Sequence, residues 1–127
     1  MRTPRKLLIT SLALSLTLLL TSSPALANEE AEAAFERGTA VLTQGDFDGA
    51  LAAYVEAAKA DPENQDYRKQ LALVHRVKQV RAQLAASVKD DTKWEATALS
   101  LRTFYLQYQV FGEAVALDEA RHARFHT

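Results

Sequence analysis

With only four glycines and three prolines in 127 residues, the chain has few points at which it can turn sharply. A sheet protein needs a turn signal after each short strand, whereas long helices need few. Alanine and leucine dominate and β-branched residues are sparse, which favours helix over strand. The fold class that follows is all-α. Hydrophobic residues make up 48% of the chain and charged residues 24%, the balance of an ordinary globular domain. There is no cysteine, which excludes disulfides, thiolate metal sites, cysteine nucleophiles and haem attachment through C-x-x-C-H.

The first 27 residues have the three-part layout of a secretory signal. Arg2, Arg5 and Lys6 form a positive start, Leu7 to Leu20 an apolar run, and Ala25-Leu26-Ala27 a small-residue A-x-A site. Cleavage is expected after Ala27, leaving Asn28 as the new N-terminus. The apolar run, Leu7 to Leu20, is about 14 residues, short of the ~20 that a helical span requires. No later segment is apolar enough to span a bilayer, so the mature form, residues 28–127, is not expected to do so. The signal resembles bacterial ones, which implies an exported protein, periplasmic or secreted.

Charge is segregated along the rest of the chain. Residues 28–66 carry ten acids and two bases, residues 67–89 six bases and no acid, and residues 90–127 six acids and four bases. A basic segment can attract nucleic acid or an anionic surface. Here Arg68, Lys69, Arg76, Lys78 and Arg81 spread around a helix rather than lining one face. Pairing with the acidic flanks is the simpler reading, and no nucleic-acid partner is expected.

Five helices are expected. The first spans about Glu29 to Thr43, with Glu29, Glu30 and Glu32 at its positive end and Gly45 beyond its close. The second spans Phe47 to Ala60, capped by Asp46 and ended by Asp61-Pro62. The third, from Pro62–Asn64 to about Val88, has an apolar seam at Leu73, Val77, Val80 and Leu84, flanked by Tyr67, Leu71 and Val74. Thr92 to Glu95 reads as a capping box before a fourth helix from Lys93 to about Gln109, with Trp94 in the core. The fifth runs from about Glu113 to Phe125.

Residues 31–64 form one 34-residue helix-turn-helix unit in which Gly38, Gly45, Phe47, Ala50, Tyr54, Ala57 and Pro62 stand at distinctive intervals. Gly38 and Ala50 are small where two helices cross closely, Phe47 and Tyr54 fill the space beside them, and Pro62 ends the unit. This pattern resembles the tetratricopeptide repeat, although Ala34 and Arg37 stand where a large aromatic and a leucine are usual. A shift of 64 residues maps Val41 to Tyr105, Phe47 to Phe111 and Ala50 to Ala114, so residues 93–126 resemble a degenerate second copy. The resemblance implies a helical-repeat domain: a hairpin at 31–61, a long helix at 62–88 and a degenerate hairpin at 92–126, in right-handed superhelical stacking.

Stacked repeats form a concave groove lined by the first helix of each hairpin. The resemblance places Phe35, Thr39 and Leu42 towards it, beside Lys69, Leu73 and Arg76 of the long helix. Phe35 and Thr39 stand where a carboxylate-clamping member of the family would carry lysine and asparagine. A mixed apolar and basic groove is expected instead, suited to an amphipathic or acidic segment. The function expected is a non-catalytic interaction module or scaffold that binds a peptide or partner protein. The alternative is a self-associating structural protein that dimerises through the long helix, with binding to anionic envelope components behind it.

Nothing in the sequence calls for an enzyme, a cofactor or a metal. There is no Gly-rich phosphate loop, no G-x-S-x-G and no H-E-x-x-H. His122 and His126 have a spacing that can share a metal, but a third ligand is missing, and they suit the negative end of a helix. His75 is expected half-buried beside the seam.

Overall fold

The computed structural model describes residues 24–126. The positive start and apolar run of the expected signal lie outside them. The described chain is all-helical: α1 (Pro24–Thr43), α2 (Phe47–Ala60), α3 (Gln65–Ala86), α4 (Asp91–Gln107) and α5 (Phe111–Phe125). Each helix packs on the next in sequence. The core gathers Leu42, Phe47, Ala50, Tyr54, Val74, Val77, Trp94, Ala98, Leu101, Tyr105, Val110, Ala114 and Leu117. None of the described helices is long and apolar enough to cross a membrane.

Helix ends follow local chemistry. Asp46 caps α2 by accepting the Gly49 N–H at 2.8 Å. Asn64 caps α3, its Oδ1 accepting the N–H groups of Asp66 and Tyr67 at 3.0 and 3.3 Å. The 22-residue α3 is roughly 33 Å long, and Ser87 closes it, donating to the Gln83 carbonyl at 2.6 Å. Two expectations at helix ends differ from the structure. The cap of α4 is Asp90, which accepts the Lys93 N–H at 3.0 Å, not Thr92; Glu95 is drawn away to Arg121. A carboxylate two residues upstream thus displaces the weaker hydroxyl cap. In the full-length chain the first helix starts at Pro24, so Glu29, Glu30 and Glu32 lie beyond its first turn; the expected cleavage after Ala27 would return Glu29 and Glu30 to it. Ala25, Ala27 and Asn28 lie in its opening turns, and Ala31 is the first buried residue.

The crossing of α1 and α2 is tight because Gly38 has no side chain. A Cβ there would stand 2.6 Å from Cε1 of Tyr54, a ring buried completely. Tyr54 is held by a 2.9 Å hydrogen bond between its hydroxyl and that of Thr39. Most of the seam of α3 is consumed inside the chain: Val74 and Val77 are buried, and Leu71, Val80 and Leu84 pack against the core, while Leu73 faces a groove. His75 is exposed rather than half-buried, because it projects away from that seam.

The turn between α1 and α2 recurs 64 residues further on. Gly45 and Gln109 both have positive φ, 82° and 61°. In the first turn Gly45 N–H bonds Leu42 O and Asp46 N–H bonds Val41 O; in the second, Gln109 bonds Leu106 O and Val110 bonds Tyr105 O. The side chains between the hairpin helices differ in a paired way. Where the first hairpin buries Gly38 against Tyr54, the second has Arg102 bonded to Asp118 at 2.8 Å. Where the first buries Ala31 and Ala57, the second has Glu95 bonded to Arg121 at 2.8 Å. Ala50 and Ala114 are both buried, but Phe111 does not follow Phe47. It is 56% exposed, and Val110 fills the core in its place.

Candidate functional site

A groove of about 850 Å³ opens between α1, α3 and the C-terminal end of α4, lined by Glu32, Phe35, Glu36, Asn64, Asp66, Tyr67, Lys69, Gln70, Leu73 and Tyr108. Three of the six residues expected in a groove, Phe35, Lys69 and Leu73, meet here. The other three do not. Leu42 is 1% exposed and belongs to the core. Thr39 spends its hydroxyl on Tyr54 and on the Phe35 carbonyl. Arg76 is exposed but lies outside the lining. One heptad past Lys69, Arg76 has drifted about 20° around the straight helix relative to an exact heptad repeat and two turns along it, beyond the groove's end.

The floor is aromatic. Tyr54, Phe35 and Tyr67 form a ladder from core to groove, with centroid separations of 5.2 Å and 5.0 Å. Such tilted pairs add about 0.5–1.5 kcal/mol each beyond burial, so the ladder also ties α1 to α2 and α3. Tyr108, packed on Phe104 at 4.6 Å, forms the far wall. Tyr108 is the C-cap of α4 and also packs against the core.

The rim is acidic, which reverses the expectation of a basic groove. Glu32, Glu36 and Asp66 stand against the single cation Lys69. Asp66 has a structural role in the first turn of α3. Glu32 and Glu36 do not: like charges four apart on a helix cost roughly 0.2–0.5 kcal/mol. The groove's charge registers on Tyr67, whose phenol is raised above its ordinary value, first by desolvation and then by Glu32, Asp61, Asp66 and Glu36. Two other bases of α3 pair with the hairpins, as expected of the basic segment. Lys78 pairs with Asp48, and Arg81 with Glu113.

A second, smaller cavity of about 320 Å³ lies between α3, α4 and α5, walled by Leu84, Trp94, Leu101 and Leu117, with Arg81 at one end. That arginine is committed: it donates to Tyr105 Oη at 2.6 Å and Glu113 Oε2 at 3.0 Å. His122 and His126 stack at 4.8 Å, and among the described residues no three histidine or carboxylate side chains gather where they could hold a metal.

Comparison with known protein families, curated proteins and solved structures finds no match.

Proposed function

We propose that the protein is a non-catalytic interaction module, exported by its N-terminal signal, that binds a segment of a partner protein in the groove between α1 and α3. The observation that carries this reading is the groove itself: an open, aromatic-floored channel of about 850 Å³ whose carboxylates at Glu32 and Glu36 take part in no side-chain hydrogen bond or ion pair among the described residues. Channels that combine aromatic floor and polar rim suit extended or helical peptides. The repeat character of the chain supports the same function. The recurrent turn at Gly45 and Gln109 accords with tetratricopeptide-like hairpins stacked in a right-handed sense, and in such proteins the concave face is the binding face. Self-association through α3 is less well supported, because Val77, Val80 and Leu84 of the apolar seam it would use pack in or against the chain's own core, and Leu73 lines the groove.

The test is peptide selection followed by mapping. Peptides selected from a displayed random library are titrated into isotope-labelled protein. The expected result is that they move the Leu73 methyl and Tyr108 ring signals, and that Leu73→Lys weakens them about tenfold or more, the effect of placing a charge in an apolar contact. Selected peptides that leave both signals unmoved would sink the reading.

A further inference from the structure

The protein contains two worked examples of how it covers the outer face of an aromatic ring at the edge of its core. Arg81 lies 4.5 Å over the Phe47 ring while bonded to Glu113 at 3.0 Å. Arg124 lies 4.9 Å over Trp94 while bonded to Asp91 at 2.7 Å. In each, a guanidinium is held between a ring face and a carboxylate, which satisfies both the π-cloud and the charge. The groove supplies the same ring and the same carboxylates. Tyr67 is the outermost ring of the ladder, and Glu32 and Glu36 stand beside it. Among the described residues no guanidinium lies over Phe35 or Tyr67, and Arg37, the nearest arginine in sequence to Phe35, is bonded to Glu56 at 2.7 Å.

We propose that the groove takes a basic peptide segment, with an arginine side chain seated on Tyr67 and paired with Glu32 and Glu36. This rests on the groove being a peptide site and adds the chemistry of its occupant. Three features favour arginine. The planar guanidinium stacks on a ring while donating in its plane to carboxylates, which an ammonium does less well. The carboxylates outnumber the one cation, Lys69, so the groove repels an acidic segment. The excess of negative charge also gives an answer to why Glu32 and Glu36 sit four apart on an exposed helix face: a bound cation turns their repulsion into attraction.

The experiment titrates the isotope-labelled protein with a blocked hexapeptide of alternating arginine and glycine. A second peptide carries citrulline, which keeps the shape and loses the charge, and a third carries aspartate. The arginine peptide is expected to move the Tyr67, Tyr108 and Leu73 signals and to bind about tenfold more tightly than the citrulline peptide, with the difference shrinking as salt is raised. Glu32→Gln with Glu36→Gln, both exposed and outside the core, should remove most of that preference. Lys69→Gln should strengthen arginine binding about two- to threefold. Equal binding of arginine and citrulline peptides, or tighter binding of the aspartate peptide, would overturn the proposal while leaving the groove as a peptide site. Groove signals that move with protein concentration in the absence of peptide would assign the groove to a second copy and overturn it. If no peptide, of these or of the selected set, moves the groove signals, the groove reading falls and the proposal falls with it.

Discussion

At the scale of single residues, two helical glycines, Gly38 inside α1 and Gly112 in the first turn of α5, have opposite roles. Gly38 lies where any side chain would meet the Tyr54 ring at 2.6 Å, whereas a Cβ at Gly112 would meet nothing within 4 Å. Tyr54 is completely buried and hydrogen-bonded to Thr39, so its ring has nowhere to move. Gly38→Ala is therefore expected to destabilise the protein by about 1–3 kcal/mol through overpacking. Gly112→Ala should stabilise it by up to about 1 kcal/mol, as alanine replaces glycine in a helix. Urea unfolding followed by circular dichroism checks both, and equal effects of the same sign would refute the assignment of Gly38 to a close crossing. The role of Gly38 was legible in the sequence as part of the pattern over residues 31–64 that resembles the tetratricopeptide repeat, in which Gly38 is small where two helices cross and Tyr54 fills the space beside it. The acidity of the groove was not. Lys69 and Arg76 were read as neighbours on α3, but the residues that set the sign, Glu32 and Glu36, come from α1, and a helix-by-helix reading cannot see charge arriving from across a groove.

At the scale of elements, the two hairpins share a turn and differ in what fills it. The first is held by complete burial of Ala31, Gly38, Tyr54 and Ala57. The second replaces those positions with Arg102–Asp118 and Glu95–Arg121, ion pairs whose side chains are between a quarter and a half exposed. The Arg121 Nε is buried without an acceptor, and an unmet buried donor costs about 1–3 kcal/mol. The exchange is paired: each substitution at one helix is matched at the other, so the interface stays complementary while becoming polar. Partly exposed ion pairs contribute only about 0.2–1 kcal/mol each and are screened by salt, whereas packing is not. Raising sodium chloride to about 1 M, where the Debye length falls to ~3 Å, should thus speed amide exchange in α4 and α5 relative to α1 and α2. Exchange measured residue by residue decides this. Uniform acceleration of all helices would mean that the second hairpin does not depend on its ion pairs. The divergence also explains why the second copy was only faintly legible: the backbone turn survives at Gln109 without a glycine, and the conspicuous Phe111 points to solvent while Val110 takes the core.

At the scale of the whole molecule, α3 is the member that joins two hairpins, and each of its seams contains a phenol. Tyr67 belongs to the seam with α1, where it stacks on Phe35. Tyr105 belongs to the seam with α4 and α5, where its hydroxyl receives the Arg81 guanidinium at 2.6 Å. Both phenols are raised above their ordinary value of 10.0. For Tyr67 the causes are desolvation and the surrounding carboxylates; for Tyr105 burial outweighs the opposing pull of Arg81. The folded protein therefore keeps protons on these two groups at a pH where the unfolded chain has begun to lose them. Below about pH 10 both states hold the protons and stability does not depend on them. Above it the unfolded state binds fewer protons than the folded one, so stability must fall as pH rises through the raised values. The expected outcome is a urea midpoint that holds steady in mildly alkaline buffer and declines beyond about pH 10, with loosening at both ends of α3. Tyr67→Phe and Tyr105→Phe should each flatten part of that decline whatever they do to the midpoint at neutral pH. Lysine titration would give a decline that neither variant changes, and that result would remove the phenols from the account. A cationic peptide in the groove offsets the carboxylates around Tyr67 but not its desolvation, so saturating arginine peptide should restore only the carboxylate part of the Tyr67 share of the alkaline stability and leave the Tyr105 share untouched.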